Sequence, residues 1–208
     1  MEELVKNLQE GGWLKSPAII RAFRAINRED FVPDDVKNFA YLDIALPIGW
    51  GQTISQPAVV AFMLELLQPK EGEKVLDIGA GSGWTTALLS QIVGPKGRIV
   101  AIEIIPELAE FGKKNIAKYN FLEKGIANFL CKNGAEGESQ ESPFDRILIS
   151  AALPSDTIPL PLQRQLRNGG TLVSPIGDSI WRFQKVREKE FSRQEYPGFV
   201  FVPFIQKK

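Results

Sequence analysis

Residues 74–90, KVLDIGAGSGWTTALLS, predict a buried strand, a tight glycine turn and a helix in direct succession. Asp77 interrupts the apolar run of the strand, and three glycines then follow at every second position. Glycines allow a flat ligand to approach the backbone closely, and the N–H groups at a helix start suit polar or anionic groups. The stretch therefore predicts a ligand-binding turn, although an ordinary strand-to-helix turn can have the same glycine content.

The composition is typical of a globular protein. Hydrophobic residues make up 44% and charged residues 24% of a 208-residue chain, which is enough for one sizeable core. The 25 basic and 25 acidic residues balance, so no bulk attraction to nucleic acid or to a membrane is expected. No apolar run reaches transmembrane length, and residues 1–10 do not resemble a signal peptide. With a single cysteine, Cys131, these features favour a reducing cytoplasm.

The chain contains no histidine. This removes the commonest general base, the commonest zinc ligand and every Ser-His or Cys-His nucleophile pair. Hydrolases of those types are therefore excluded, and no metal site is expected.

Strands alternate with helices along most of the chain. After the strand at the start of residues 74–90, strands are predicted at 98–103, 127–131, 144–150, 171–175, 180–186 and 199–205. Helices are predicted within residues 1–32, at 57–67 and at 106–119. The alternation favours an α/β, Rossmann-like, doubly wound and mostly parallel seven-stranded sheet, with an antiparallel C-terminal hairpin and N-terminal helices.

The region before residue 57 carries signals that favour structural roles. Arg21, Arg24 and Arg28 accompany an apolar helix and are predicted to form its solvated face. Residues 33–56 are rich in proline and glycine and predict a loop. Ser55 is typical of an N-cap for the helix at 57–67, a position that would still leave it beside an exposed helix start.

The spacing of the glycines distinguishes two nucleotide-type cofactors. A dinucleotide turn requires its third glycine three positions after the second, and three positions after Gly81 the residue is Trp84. The observed pattern, D-x-G-x-G-x-G at 77–83, is instead typical of S-adenosylmethionine sites in Rossmann-like methyltransferases. Because ligands of such sheets lie beyond the carboxyl ends of the strands, the turn, Glu103 and the turn at 133–134 should cluster. Glu103 would then accept hydrogen bonds from both ribose hydroxyls.

With these motifs, the chain resembles the protein-L-isoaspartate O-methyltransferase family over about residues 16–205. The most specific match is LPIGWGQTISQP at 46–57, which is similar to the family's substrate-side loop; VLDIGAGSGW at 75–84 and NGGTLV at 168–173 support it. The resemblance implies methyl transfer from S-adenosyl-L-methionine, with S-adenosyl-L-homocysteine as product, to the free carboxylate of L-isoaspartyl residues. The ester would then form a succinimide that reopens partly to normal aspartate.

The resemblance also implies roles for particular residues. Ser55 takes the place of the catalytic serine, and the residues expected to bind the acceptor are Gln52, Thr53, Ile54 and Ser55. The residues expected to bind the cofactor are Asp77, Gly79, Ala80, Gly81, Ser82, Gly83, Glu103, Ile104, Asn133 and Gly134, the last two at the adenine. Two positions depart from the family's pattern: Trp50 replaces a histidine that is usual in bacterial members, and Asn133 replaces an aspartate.

On this interpretation residues 1–208 form one methyltransferase domain, with N-terminal helices and the substrate-side loop in 1–56 and the cofactor-binding core in 57–208. The expected partners are peptides or unfolded protein segments that bear isoaspartate, with no nucleic acid and no membrane, and the protein is expected to be a cytoplasmic monomer. Three alternatives remain open: a methyltransferase for another acceptor, a protein that binds S-adenosylmethionine without turnover, and a dinucleotide oxidoreductase.

Overall fold

A computed structural model describes residues 1–154 and 157–205 of the chain. The strands are β1 (Leu46–Gly49), β2 (Gln52–Ile54), β3 (Lys74–Ile78), β4 (Arg98–Glu103), β5 (Ala127–Cys131), β6 (Phe144–Ile149), β7 (Leu166–Ile176), β8 (Ser179–Arg187) and β9 (Glu190–Pro197). The helices are α1 (Glu2–Glu10), α2 (Pro17–Ala25), α3 (Pro57–Leu67), α4 (Trp84–Val93), α5 (Pro106–Ala117) and α6 (Leu160–Gln165).

The main sheet has the strand order β5-β4-β3-β6-β7-β8-β9. Strands β3 to β7 pair in parallel, whereas β8 and β9 are added antiparallel. The chain runs outward from β3 to β5 and then returns to the other side of β3, so the strand order reverses there. Such a reversal opens a crevice beyond the carboxyl ends of the strands. The predicted fold class is confirmed.

The central strands are nearly continuous apolar runs because both faces of the sheet are covered. Side chains alternate between the faces: Val75 packs in the core that contains α4, while Leu76 and Ile78 pack in the core that contains Leu162 of α6. Asp77 shares the face of Val75, and its carboxylate is therefore buried beneath α4.

The last predicted strand, at 199–205, is wrong. The edge strand is β9, whose polar sequence lacks an apolar alternation because most of its residues are exposed. Residues 199–205 instead cross back over the end of β6: the Ala152 N–H donates to the Val202 carbonyl, and the Phe204 N–H donates to the Ala152 carbonyl, both at 2.9 Å. Their apolar character comes from this position over the crevice.

The prediction of a loop at 33–56 is also wrong for residues 46–54. These residues form a two-stranded antiparallel hairpin, with Leu46 paired to Ile54. Trp50 lies at its tip in a left-handed conformation (φ 51°) and is 54% exposed. The strands have only four and three residues, the first contains proline and glycine, and Gly49 and Gly51 flank Trp50. The sequence therefore resembles that of a loop.

The third N-terminal arginine differs from its predicted environment. Arg21 and Arg24 are exposed, as expected for a solvated helix face, but Arg28 is fully buried. Its guanidinium donates to backbone carbonyls of the segment before β1 and to that of Ser55. The prediction is therefore wrong for Arg28.

Candidate functional site

A cavity of about 780 Å³, including its open mouth, lies beyond the carboxyl ends of β3, β4 and β6. Its lining contains the predicted residues Gln52, Thr53, Ile54, Ser55, Gly79, Ala80, Gly81, Ser82, Glu103, Ile104 and Gly134. The glycine turn, the end of β4 and the turn after β5 thus cluster, and the hairpin joins them.

The glycine turn is held against the end of β4. Gly79, Gly81 and Gly83 all have left-handed φ angles of 75°, 51° and 87°, which side chains with a Cβ rarely adopt. The N–H groups of Gly79 and Ala80 both donate to the Ile102 carbonyl, at 2.9 and 3.1 Å. The backbone of the turn is consequently fixed before any ligand binds.

Glu103 holds the turn from the side of β4. Its carboxylate accepts hydrogen bonds from three backbone N–H groups: Gly81 at 2.9 Å on Oε2, and Ile104 at 2.8 Å and Ile105 at 3.0 Å on Oε1. The side chain is only 6% exposed and lines the cavity. Both oxygens are thus oriented by the protein: Oε1 uses its two lone-pair sites on these N–H groups, and Oε2 retains one for another donor.

Gly83 packs against α5 and does not line the cavity. A Cβ on Gly83 would lie 2.9 Å from the Gly112 carbonyl oxygen, and a Cβ on Gly112 would lie 2.6 Å from the Gly81 carbonyl oxygen. The backbone of α5 therefore contacts the glycine turn directly, and this contact requires glycine on both sides.

The turn after β5 contributes one of its two predicted residues to the cavity. Gly134 lines it, and a Cβ there would clash with Ile78. The Asn133 side chain is absent from the lining and instead accepts a hydrogen bond from the Ala135 N–H at 3.0 Å. The structure thus places Asn133 behind the turn, where it caps a short 3₁₀ segment.

The N-cap prediction for Ser55 is wrong. The N-cap residue of α3 is Gln56, and the N–H of Ala58 donates to Oδ1 of Asp43 at 2.8 Å. Asp43, from the loop before the hairpin, thus provides a hydrogen-bond acceptor for a backbone N–H group at the start of the helix. Within residues 1–154 and 157–205, the Ser55 hydroxyl has no hydrogen-bond partner, so it remains available to a ligand in the cavity it lines.

A second cavity of about 730 Å³, including its open mouth, adjoins the first. The two cavities share Thr53, Ser55, Ser150 and Val202. The rest of the second cavity's lining comes from residues beside the hairpin, from the start of α3 and from the crossing segment at 199–205: Ala45, Gln56, Val59, Val200 and Phe201. Ser55 therefore lies where a ligand in one cavity would meet a ligand in the other.

A family model described as Protein-L-isoaspartate(D-aspartate) O-methyltransferase (PCMT) matches residues 1–208. The chain belongs to this family. Its relatives include proteins named protein-L-isoaspartate O-methyltransferase from Methanopyrus kandleri, 41% identical over 98% of this chain and 90% of the relative, and from Aeropyrum pernix, 43% identical over 89% and 70%.

Solved structures share the fold. A Plasmodium falciparum protein assigned to protein-L-isoaspartate O-methyltransferase, crystallised with S-adenosyl-L-homocysteine, superposes with a TM-score of 0.87 at 21% identity and covers 99% of this chain and 98% of that one. A second structure, named protein-L-isoaspartate O-methyltransferase, superposes with a TM-score of 0.86 at 29% identity, over 97% of this chain and 65% of that one.

Several cavity residues of this isoaspartate methyltransferase were not predicted. Ser150 and Ala151 follow β6 directly, so the rule that ligands lie beyond strand ends could have identified them. Val202 to Ile205 line the cavity because the chain crosses back over it. Their apolar sequence resembles that of a strand and gave no such signal. Trp50, by contrast, lines neither cavity.

No group of three or more Cys, Asp and Glu side chains in the described parts of this methyltransferase is arranged to hold a metal ion. Over the same residues, no helix combines the length and the apolar character needed to cross a membrane.

Asp77 supports the site from within the core. It does not line the cavity, and its Oδ2 accepts a hydrogen bond from the Thr86 hydroxyl at 2.6 Å. Burial raises the pKa of its carboxyl from 3.8 to about 6, and the nearby charge of Glu103 acts in the same direction, while the hydroxyls of Thr86 and Thr85 lower it. The folded protein thus binds this proton more tightly than the unfolded chain does.

The substitution Asp77→Asn is expected to stabilise the methyltransferase increasingly as the pH rises. Because the folded pKa is raised, ionisation of Asp77 destabilises the folded wild-type protein between about pH 4 and pH 6, and this contribution persists at higher pH. The change from 3.8 to about 6 corresponds to about 3 kcal/mol. Denaturant unfolding of both proteins at pH 4 and pH 7.5 should show a difference that grows by up to this amount, and a constant difference would contradict the burial effect.

Proposed function

We propose that this protein transfers the methyl group of S-adenosyl-L-methionine to the free carboxylate of L-isoaspartyl residues in proteins and peptides, which initiates their repair. The observation that carries the proposal is that one cavity is lined both by the glycine turn with Glu103 and by Thr53 to Ser55 of the acceptor side. Methyl transfer requires donor and acceptor to be held in line, about 3 Å apart, and a shared cavity permits this. Membership of the family supports the same reaction.

The lining fits the proposed cofactor. A Cβ on Gly81 would lie 3.3 Å from Cδ1 of Ile48, and a Cβ on Gly134 would clash with Ile78, so the cavity wall packs closely at both glycines. We expect Glu103 to accept hydrogen bonds from the ribose hydroxyls. We expect Ile104 and Gly134 to flank the adenine. When bound, the cofactor supplies a sulfonium methyl group and leaves as S-adenosyl-L-homocysteine.

The remaining predicted cofactor residues are proposed in two groups. Gly79, Ala80 and Ser82 line the cavity and are proposed to contact the cofactor directly. Asp77, Gly83 and Asn133 lie behind this layer. We propose that they hold the turns in place rather than touch the cofactor.

The acceptor chemistry suits a chain that has no histidine. A carboxylic acid with a pKa of about 4 is already ionised at neutral pH, so no general base is required. The protein needs only to orient the carboxylate and to exclude water. We propose that the Ser55 hydroxyl donates to this carboxylate, while Gln52, Thr53 and Ile54 position the peptide around it and the second cavity admits its flanking residues.

A pair of matched peptides tests the acceptor. A peptide that contains L-isoaspartate should be methylated by the protein with labelled S-adenosyl-L-methionine, whereas its normal aspartyl twin should not. Methylation of both peptides, or of neither, would contradict the proposed acceptor. If neither is methylated, calorimetric titration with S-adenosyl-L-homocysteine and with NAD separates a dinucleotide enzyme, which would bind NAD, from the two alternatives that bind S-adenosyl-L-homocysteine.

The substitution Ser55→Ala is expected to lower kcat/KM for the isoaspartyl peptide by at least about tenfold, since hydrogen bonds to a charged group contribute about 1.5–3 kcal/mol. The affinity for S-adenosyl-L-homocysteine should remain within about threefold of the wild type. Ser192→Ala, on the exposed edge strand β9, is the matched control and should change neither quantity. Full methylation by the Ser55→Ala protein would remove Ser55 from the mechanism.

We further propose that residues 1–208 act as one methyltransferase domain, because the cavity takes its lining from both residues 1–56 and residues 57–208. The balanced charge argues against a nucleic-acid or membrane partner. The single cysteine fits a reducing cytoplasm. A monomer is proposed, and light scattering in solution tests it.

A further inference from the structure

Arg28 is a fully buried arginine that binds four backbone carbonyls. Its Nη1 donates to Ala40 at 2.8 Å and to Leu42 at 3.4 Å, and its Nη2 donates to Ile44 at 2.9 Å and to Ser55 at 3.0 Å. A planar guanidinium can reach acceptors on several sides at once, which a lysine ammonium cannot do with the same geometry. One side chain therefore organises the chain on both sides of the β1–β2 hairpin.

Three of the four carbonyls lie in the segment directly before the β1–β2 hairpin, and the fourth, that of Ser55, follows it. Residues 40–45 contain no helix or strand, so the guanidinium supplies hydrogen bonds that regular structure would otherwise provide. One of the four is the backbone carbonyl of Ser55, while the Ser55 hydroxyl is left unbonded within the described residues. Arg28 thus fixes the backbone of the proposed catalytic residue without occupying its side chain.

The same guanidinium also contacts the cofactor side. Its Cζ lies 5.2 Å from the centre of the Trp84 ring, which is within the range of a cation–π interaction. Trp84 is the first residue of α4, directly after the glycine turn, and it lines the cavity. Arg28 therefore bridges the start of the cofactor-side helix and the backbone of the acceptor loop.

Arg28 keeps its positive charge, which the nearby carboxylate of Asp43 stabilises. Burial lowers the pKa of the guanidinium to about 10, and the charge of Asp43 opposes this change. Asp43 itself holds the same loop, since its Oδ1 accepts from the Ala58 N–H and its Oδ2 accepts from Nε2 of Gln56 at 3.1 Å. Two oppositely charged side chains thus hold the segment from residue 40 to residue 56.

We propose that Arg28 is a positioning residue for methyl transfer, which holds Ser55 and the segment before the hairpin in register with the cofactor side of the cavity. The inference rests on the proposed function in taking the hairpin as the acceptor side. None of the four carbonyls belongs to the glycine turn or to β4, and a lysine at position 28 would keep a positive charge near the Trp84 ring. The Arg28→Lys substitution should therefore affect the acceptor much more than the cofactor.

The substitution Arg28→Lys tests this role against a merely structural one. Arg146→Lys is the matched control, because Arg146 is also buried and donates to the backbone carbonyls of Gln68 and Asp145, in addition to an ion pair with Glu73. It lies near the start of β6, at the end of the strand away from the cavity. For Arg28→Lys, kcat/KM for an isoaspartyl peptide should fall by about 10- to 100-fold, while the Kd for S-adenosyl-L-homocysteine stays within about threefold. For Arg146→Lys, both quantities should stay near those of the wild type even where the Tm falls.

Hydrogen exchange supplies a readout that needs no acceptor. Amides in residues 40–56 should exchange faster in the Arg28→Lys protein, and those of the glycine turn should not. Unchanged exchange, equal kinetic losses in the two lysine variants, or a loss of cofactor affinity as large as the loss of kcat/KM would each overturn the proposal. A wild-type protein that is inactive on the peptide would instead contradict the proposed function. Hydrogen exchange would still test whether Arg28 holds residues 40–56 in place.

If the Arg28→Lys protein does not fold, Asp43→Ala replaces it. Asp43 is exposed, so its removal is tolerated more easily, and it releases the same segment at Gln56 and Ala58. The expected result is a raised KM for the peptide with an unchanged affinity for S-adenosyl-L-homocysteine. An unchanged KM would overturn the claim that this segment must be held for the acceptor to be positioned.

Discussion

Replacing Glu103 with alanine is expected to weaken the binding of S-adenosyl-L-homocysteine by about 100-fold or more. Hydrogen bonds to a charged group contribute about 1.5–3 kcal/mol each, and about 1.4 kcal/mol is a factor of ten in affinity. The variant loses the proposed acceptor of both ribose hydroxyls, and it also loses the carboxylate that holds the N–H of Gly81 at 2.9 Å. Cofactor affinity should therefore fall even though no other lining residue changes.

Calorimetric titration measures this loss, and circular dichroism checks that the fold persists. Glu107→Ala is the control, because Glu107 is an exposed acid in the first turn of α5, close to Glu103 in sequence, and its removal should leave the affinity unchanged. An affinity of the Glu103→Ala protein within threefold of the wild type would contradict the ribose assignment.

Substitution of Gly112 by alanine is expected to destabilise the protein, although helix propensity alone would predict a stabilisation. Alanine within a helix is favoured over glycine by about 1 kcal/mol. A Cβ at this position would, however, lie 2.6 Å from both the Gly81 carbonyl oxygen and Cζ of Phe129. Overpacking of this kind costs about 1–3 kcal/mol, so Gly112→Ala should lower the free energy of unfolding. The larger Gly112→Val should lower it by about 3 kcal/mol or more.

The same substitutions should also impair the site, because α5 must move away from the turn that lines the cavity. Binding of S-adenosyl-L-homocysteine should weaken in the order wild type, Gly112→Ala, Gly112→Val. Lys113→Ala, at the next and exposed position of α5, is expected to change stability by no more than about 0.5 kcal/mol. Denaturant unfolding and calorimetry measure both effects, and a Gly112→Ala protein more stable than the wild type would disprove the close contact.

The parts of the fold that could be predicted are those in which burial determines the sequence. Strands β3, β4 and β6 are covered on both faces, so their apolar runs are distinctive. The edge strand β9 could not be identified, because most of its residues are exposed and polar. The hairpin was missed for another reason: its short strands and the glycines at its tip are also typical of loops.

The candidate site also contains residues that could be predicted from the sequence and residues that could not. Gly79 to Ser82 of the glycine turn, Glu103 and Thr53 to Ser55 belong to local motifs, and all of them line the cavity. Arg28 could not be predicted, because an arginine beside an apolar helix is usually solvated. Its burial depends on carbonyls 12 to 27 residues away. The role of Val202 to Ile205 depends on a chain crossing that no local pattern indicates.

The segment at residues 199–205 crosses the crevice without being a strand of the sheet. The hairpin that faces it across the second cavity is also separate from the main sheet. The donor half of the cavity, in contrast, consists of turns that connect the sheet strands. Substitutions in the two outer segments can therefore change the fit of the acceptor without altering the sheet strands whose turns form the donor side.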